Sequence, residues 1–282
     1  MAERANSVSR WVASGRVLLF YVATVVLLIV AAPMGAGFSG EWPKISTGLI
    51  TAIAGFLLTM VFVRWDKGRL AEVGAALTPG SFARLGAGFA MGSVMIAIQC
   101  IIVFASGHVR WAPVSEIKLT PVTLALLAYL LLASREELSF HGYPLRRLER
   151  VWGIWPAQII VALAFVLEHR AGGFNWMNAL LGASIGSLLF GMASIATRGL
   201  AVPIGIHAAW NFGQWVIGFR ELPGLWRPII EDGYTAHVNH ALFAGYWIVF
   251  VAGIALFWRV HVVRTKREMR ASSSLLPHRG VA

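Results

Sequence analysis

Eight apolar runs, most of them close to the length of a bilayer-crossing helix, alternate along this chain with short charged connections. They fall at about 17–36, 46–64, 84–106, 120–143, 156–170, 176–197, 201–219 and 241–259. About 20 residues at 1.5 Å each span the ~30 Å hydrocarbon layer, so most of these runs are long enough. The fifth and seventh are short or interrupted by Gly, which membrane helices tolerate when packed inside a bundle. A chain that is 57% hydrophobic and 13% charged carries about half the charge of a soluble domain and too much apolar surface for a water-soluble fold to hide. The expected fold is all-α: a polytopic membrane protein of about eight transmembrane helices. Residues 1–270 read as one domain, and 271–282 as a basic tail without regular structure, the polar stretch from Arg264 onward lying beyond the last helix.

The formal net charge of +11 is organised by topology rather than by a nucleic-acid-binding stripe. With the N-terminus inside, inner segments hold Arg4, Arg10, Arg16, Arg64, Lys67, Arg69, Arg84, Arg146, Arg147, Arg150, Arg198 and the basic residues from Arg259 on. Outer segments hold fewer: Lys44, Arg110, Lys118, Arg170, Arg220 and Arg227. Both termini are therefore expected to be cytoplasmic, in an integral protein of a bacterial cytoplasmic membrane. The first run, although preceded by Arg residues, is retained as a span because its removal would spoil the charge alternation. Trp42, Trp65, Trp111, Trp155, Trp176, Trp226 and Trp258 fall near the span ends, as an aromatic belt requires. The single cysteine, Cys100, excludes an intrachain disulfide and a cysteine-based metal knuckle.

Charged side chains inside membrane helices are costly, and by default they mark function. Three groups stand out: Arg135-Glu136-Glu137-Leu138-Ser139-Phe140-His141-Gly142 in the fourth run, Phe165-Val166-Leu167-Glu168-His169 at the end of the fifth, and His207-Ala208-Ala209-Trp210-Asn211 in the seventh. Helix rise places Glu136, His169, His207 and Asn211 at overlapping depth, in a site expected to open toward the cytoplasmic side. Glu137 with His141, and His207 with Asn211, are four apart and share a helix face. Glu168 lies on a different face from His169 and reads as an interface residue. A buried carboxylate suits a general base, and an imidazole beside it can orient a water. A second imidazole with an amide suits a developing oxyanion. Alternatively, Glu136, His169 and His207 form a common zinc ligand set. Both routes lead to hydrolysis of an acyl bond. His237, Asn239 and His240 read as a solvated outer loop, and Gly182, Gly186 and Gly191 as close-packing positions.

At these residues the sequence resembles the CPBP family of intramembrane proteases, which includes the type II CAAX prenyl endopeptidases and bacterial self-immunity proteins. The family pattern is a Glu-Glu pair with Arg four residues after the second Glu, then Phe-x-x-x-His, then His-x-x-x-Asn. Glu136-Glu137, Phe165 with His169, and His207 with Asn211 match it in order, across about residues 80–220. The resemblance implies an endopeptidase acting on a membrane-associated substrate, prenylated or a leader peptide. It implies Glu136 as the base that activates water, His169 as its aid, His207 and Asn211 as the oxyanion site, and Glu137 as a carboxylate partner, with Phe165 and His141 in support. It leaves open a metal-free glutamate mechanism and one using zinc or another divalent ion. The partners are the bilayer and a peptide or protein within it, with no nucleic acid. The departure is His141, where the family shows Arg. An imidazole gains and loses its proton in the neutral range while a guanidinium does not, so activity is expected to fall as pH rises. The alternatives are a catalytically inactive family member acting as a membrane scaffold or immunity protein and, third, a transporter, although no inverted repeats are evident.

Overall fold

The structure, a computed structural model, describes residues 9–35, 42–114, 118–220 and 224–274. It consists of α1 (Arg10–Ala31), α2 (Trp42–Trp65), α3 (Pro79–Ala105), α4 (Leu119–Glu137), α5 (Tyr143–Trp152), α6 (Ile154–Ala171), α7 (Ser184–Thr197), α8 (Ala201–Val216) and α9 (Thr235–Ser274). A π-helical turn, Leu138–Gly142, joins α4 to α5, and a second, Asn178–Ala183, leads into α7. Local signals set several ends. Thr78 and Ser81 form a reciprocal capping box at the start of α3, with Pro79 in the first turn. Gly153 adopts φ 83° between α5 and α6, a conformation that favours glycine.

Among the described residues, seven helical segments are long and apolar enough to cross a membrane, with α4 and α5 counted as one segment through the π turn. The seventh expected span, α8, is a helix of 16 residues, shorter than a bilayer crossing, and is largely enclosed by its neighbours. The lipid-facing surface is apolar: Leu18, Ile29, Ile53, Val61, Ile101, Phe104, Leu163 and Leu167 are all exposed. In water such a surface would drive association; in lipid it costs nothing.

The two ends of the bundle differ. One carries α5 and the ends of α2, α7 and α9, tied by ion pairs: Arg16 and Arg147 to Asp66, Arg150 to Glu72, and Arg198 to Glu268. The other carries a two-stranded antiparallel sheet, β1 (Val109–Pro113) with β2 (Trp226–Ile230), in which Trp111 pairs with Pro228. The sequence reading contained no strands. It also ended the last helix too early: α9 continues through the charged stretch to Ser274, where Arg264 and Glu268 pair one turn apart. Residues 271–274, expected to belong to an irregular tail, are thus helical, and 275–282 lie outside the described residues. The positive-inside rule predicts that the basic end is the cytoplasmic one. In a Cys100→Ala background, cysteine at Asp232 is expected to react with an impermeant maleimide in right-side-out vesicles, and cysteine at Lys67 only after permeabilisation. The reverse pattern would invert the orientation.

The closest helix contact is α3 against α8, where backbones meet through glycine. A Cβ on Gly88 would lie 2.2 Å from the Val202 carbonyl oxygen, one on Gly205 2.3 Å from that of Leu85, and one on Gly92 2.6 Å from that of Ile206. Of the expected close-packing glycines, Gly191 is tight against Gln158, Gly186 has Tyr246 at 3.3 Å, and Gly182 has open space. Gly88→Val is expected to destabilise at or above the upper end of the ~1–3 kcal/mol typical of overpacking, because a backbone carbonyl cannot move aside like a side chain. Gly86→Val, with nothing within 4 Å, should leave the detergent-solubilised Tm unchanged. Equal Tm values for the two variants would refute this packing.

Candidate active site

The Glu pair sits where α4 changes its winding. Pro144, in the first turn of α5, has no N–H to return to the carbonyl four residues back, and the chain passes that point as a π turn. Such turns rotate the side chains that follow and recur at functional sites. Across it, Glu137 and His141 meet in a pocket sealed from solvent: both side chains are 0% exposed. His141 Nδ1 donates to Glu137 Oε2 at 2.7 Å, and its Nε2 is 3.1 Å from Ser187 Oγ on α7. With the Ser187 hydroxyl donating to Nε2, a neutral ring satisfies all its polar atoms. The contacts therefore do not require the positive charge that comparison with Arg suggested.

The other oxygen of Glu137 is also occupied. His207 Nδ1 on α8 donates to Oε1 at 2.9 Å, so one buried carboxylate anchors two imidazoles. This fixes the His207 tautomer and turns Nε2 outward, 3.5 Å from Glu136 Oε2 and without a hydrogen bond to it. Phe190 stacks on the His207 ring with centroids 4.3 Å apart. His169, at the end of α6, donates from Nδ1 to the Phe165 carbonyl at 3.0 Å, which again leaves Nε2 as the free nitrogen. Phe165 and Phe174 pack against the His169 ring. Asn211, one turn after His207, accepts at Oδ1 from Arg220 at 2.6 Å, which frees its amide N–H groups.

Glu136, Phe165, His169, His207 and Asn211 all line one cavity of about 820 Å³, together with Gln99, Gln214, Arg220, Trp210 and Tyr246. Glu137 and His141 stand behind it. Its lining is exposed, and so opens, at Phe174, Met177, Ala236, Asn239 and His240, toward the sheet-bearing end. The site thus opens away from the basic end, opposite to expectation. The reason is that His169, Asn211 and Arg220 sit near the far ends of α6 and α8, while α5 with its Arg residues closes the near side. Asn239 and His240, expected in a solvated loop, lie in the first turns of α9 and border this mouth. A larger apolar groove of about 930 Å³, between the 71–85 segment and the start of α8, contains none of the motif residues.

Two contacts escaped the sequence reading. Glu168, expected at an interface, accepts from Arg135, which also donates to Glu136 Oε1 at 2.6 Å. Arg220, assigned only to an outer connection, reaches back to Asn211 and lies over the Tyr129 ring. Two charges at membrane depth, Arg135 and Glu168, were the available signal for the first; nothing local signalled the second. Among the described residues, no three His, Cys, Asp or Glu side chains come together as a metal-ligand set, and Glu136, His169 and His207 are no exception. The zinc alternative thus lacks an assembled ligand group among the described residues.

Residues 118–213 match the family model described as type II CAAX prenyl endopeptidase Rce1-like. The matched segment carries all three motifs, and over it the chain is similar to that family. No curated protein matches the chain.

Proposed function

We propose that this cavity hydrolyses a peptide bond of a membrane-associated substrate with a water activated by Glu136. The observation that carries the proposal is Glu136 Oε2: a buried carboxylate oxygen with no hydrogen-bond donor, in a cavity that also presents His207, His169 and Asn211. An unsatisfied buried acceptor is expensive, and it persists where a ligand or water completes it. Oε2 accepts the proton of the attacking water, and the hydroxide oxygen bonds to the scissile carbonyl carbon. The carbonyl oxygen becomes an oxyanion that the Asn211 amide N–H groups stabilise, while His207, its Nδ1–H held by Glu137, presents the lone pair of Nε2 to the cavity rather than a proton to the oxyanion. The C–N bond then breaks, and the proton held by Glu136 passes to the leaving amine. His169, with Nε2 free, orients the water beside Glu136. Glu137 acts through His207 and His141 rather than on the substrate.

The aromatic walls suit an apolar chain, either a prenylated C-terminal peptide or a leader peptide. Purified protein in detergent, incubated with one peptide of each kind and followed by mass spectrometry, tests this reading. Cleavage of one at a single bond is expected. Folded protein that cleaves neither supports the scaffold alternative. Asn211→Ala should lower kcat about 10²–10³-fold, as the loss of one oxyanion donor does, with KM nearly unchanged. Unaltered kcat would remove Asn211 from the oxyanion site.

A further inference from the structure

Arg135 precedes the Glu pair and is 8% exposed, at a depth where an unpaired guanidinium would be costly. It has two carboxylate partners: Nη2 donates to Glu136 Oε1 at 2.6 Å, and Nη1 donates to Glu168 Oε1 on α6. The two oxygens of Glu136 are therefore unequal. Oε1 is held, while Oε2 is buried and accepts no hydrogen bond, with His207 Nε2 3.5 Å away, in a residue that lines the cavity. Glu137 offers a contrast in the same helix turn, since both of its oxygens accept imidazole N–H groups and neither is open to react.

Glu168 explains why Arg135 leaves Oε2 open. A guanidinium beside a single carboxylate tends to fork onto both oxygens. A fork on Glu136 would occupy Oε2. Glu168 draws one arm of the guanidinium toward α6, so only the other reaches Glu136. It also balances the second half of a buried charge group that would otherwise be unpaired. We propose that Arg135 and Glu168 form a positioning pair that fixes Oε1 of Glu136 and leaves Oε2 unclaimed as the proton acceptor. The proposal rests on the hydrolytic reading above and adds two residues to it, neither of which touches the substrate.

The pair makes a coupled prediction. Arg135→Met frees the Glu136 carboxylate to rotate. Glu168→Gln lets the guanidinium fork onto both Glu136 oxygens. Arg135→Lys keeps the charge but cannot bridge two carboxylates with the geometry of a planar fork. Each should lower kcat about 10–100-fold, the scale of misplacing a reacting group, while KM stays within about twofold. In Arg135→Met, adding Glu168→Gln should cost no further kcat, because the fork it would release is gone, and it should raise Tm by removing an unpaired, partly buried carboxylate at membrane depth.

The experiment measures kcat, KM and detergent-solubilised Tm for wild type, these three variants and the double variant, with Glu136→Gln as control. Non-additive kcat losses at constant KM, with partial recovery of Tm in the double variant, support the pair. Losses that multiply, or full kcat in folded Arg135→Met and Glu168→Gln, overturn it while leaving the hydrolytic reading intact. Failure of that reading shows at an earlier point, as wild type with no cleavage dependent on Glu136, and the positioning role falls with it.

Discussion

Glu136→Gln is expected to lower kcat by about 10²–10⁴-fold, the usual contribution of a positioned general base. Glutamine keeps the shape of the side chain, and its amide oxygen can still accept from Arg135, whose second arm remains on Glu168. The fold should therefore survive, and Tm should stay close to wild type. What is lost is the carboxylate that takes a proton from water. KM should change little, because the cavity walls that hold the substrate are untouched. Steady-state kinetics with a verified substrate, alongside Tm, check this. A folded Glu136→Gln that turns over within tenfold of wild type would contradict its assignment as base.

Glu137→Gln is the second large effect. Two imidazole N–H groups point at this carboxylate, from His141 and His207, and an amide offers only one acceptor oxygen. Its NH₂ group must face one ring N–H, or that ring must change tautomer. If His207 changes, the lone pair moves from the cavity-facing Nε2 to Nδ1, and the residue no longer presents the same atom to the reaction. The equivalent change in a carboxylate–imidazole pair of a serine-protease triad costs about 10⁴ in kcat. We expect about 10²–10⁴-fold here. A destabilisation of about 1–3 kcal/mol should accompany it, from a buried donor left unmatched. Glu136→Gln and Glu137→Gln thus separate by stability: the first spares Tm and the second lowers it. Wild-type kcat in Glu137→Gln would show that the His207 tautomer does not matter to turnover.

The all-α membrane class and the three motif groups were legible in the sequence because both are local signals. An apolar run of bilayer length reports itself, and a Glu or His inside one stands out against its neighbours. The unread features depend on how one helix is rotated against another. Glu168 and His169 diverge around α6, and helix periodicity alone placed Glu168 outside the site. The long Arg135 side chain brings it in from α4. The Gly88–Gly205 crossing joins two helices whose glycines look unremarkable in either alone. The strands β1 and β2 are five residues each and pair across five intervening helices, so neither announces itself. The direction of the cavity is not legible in the sequence because helix rise gives depth but not which end of the bundle is open, and no residue of α5, at the basic end, lines the cavity.

The most direct test of Glu136-dependent hydrolysis is isotopic. Wild type and Glu136→Gln, purified and shown to be folded, are incubated with one cleavable membrane peptide in ¹⁸O-enriched water, and the products are weighed by mass spectrometry. The account predicts a single ¹⁸O in the newly formed carboxylate of the wild-type product, and almost no product from Glu136→Gln. Product without the label, or labelled product formed equally fast by Glu136→Gln, would contradict it.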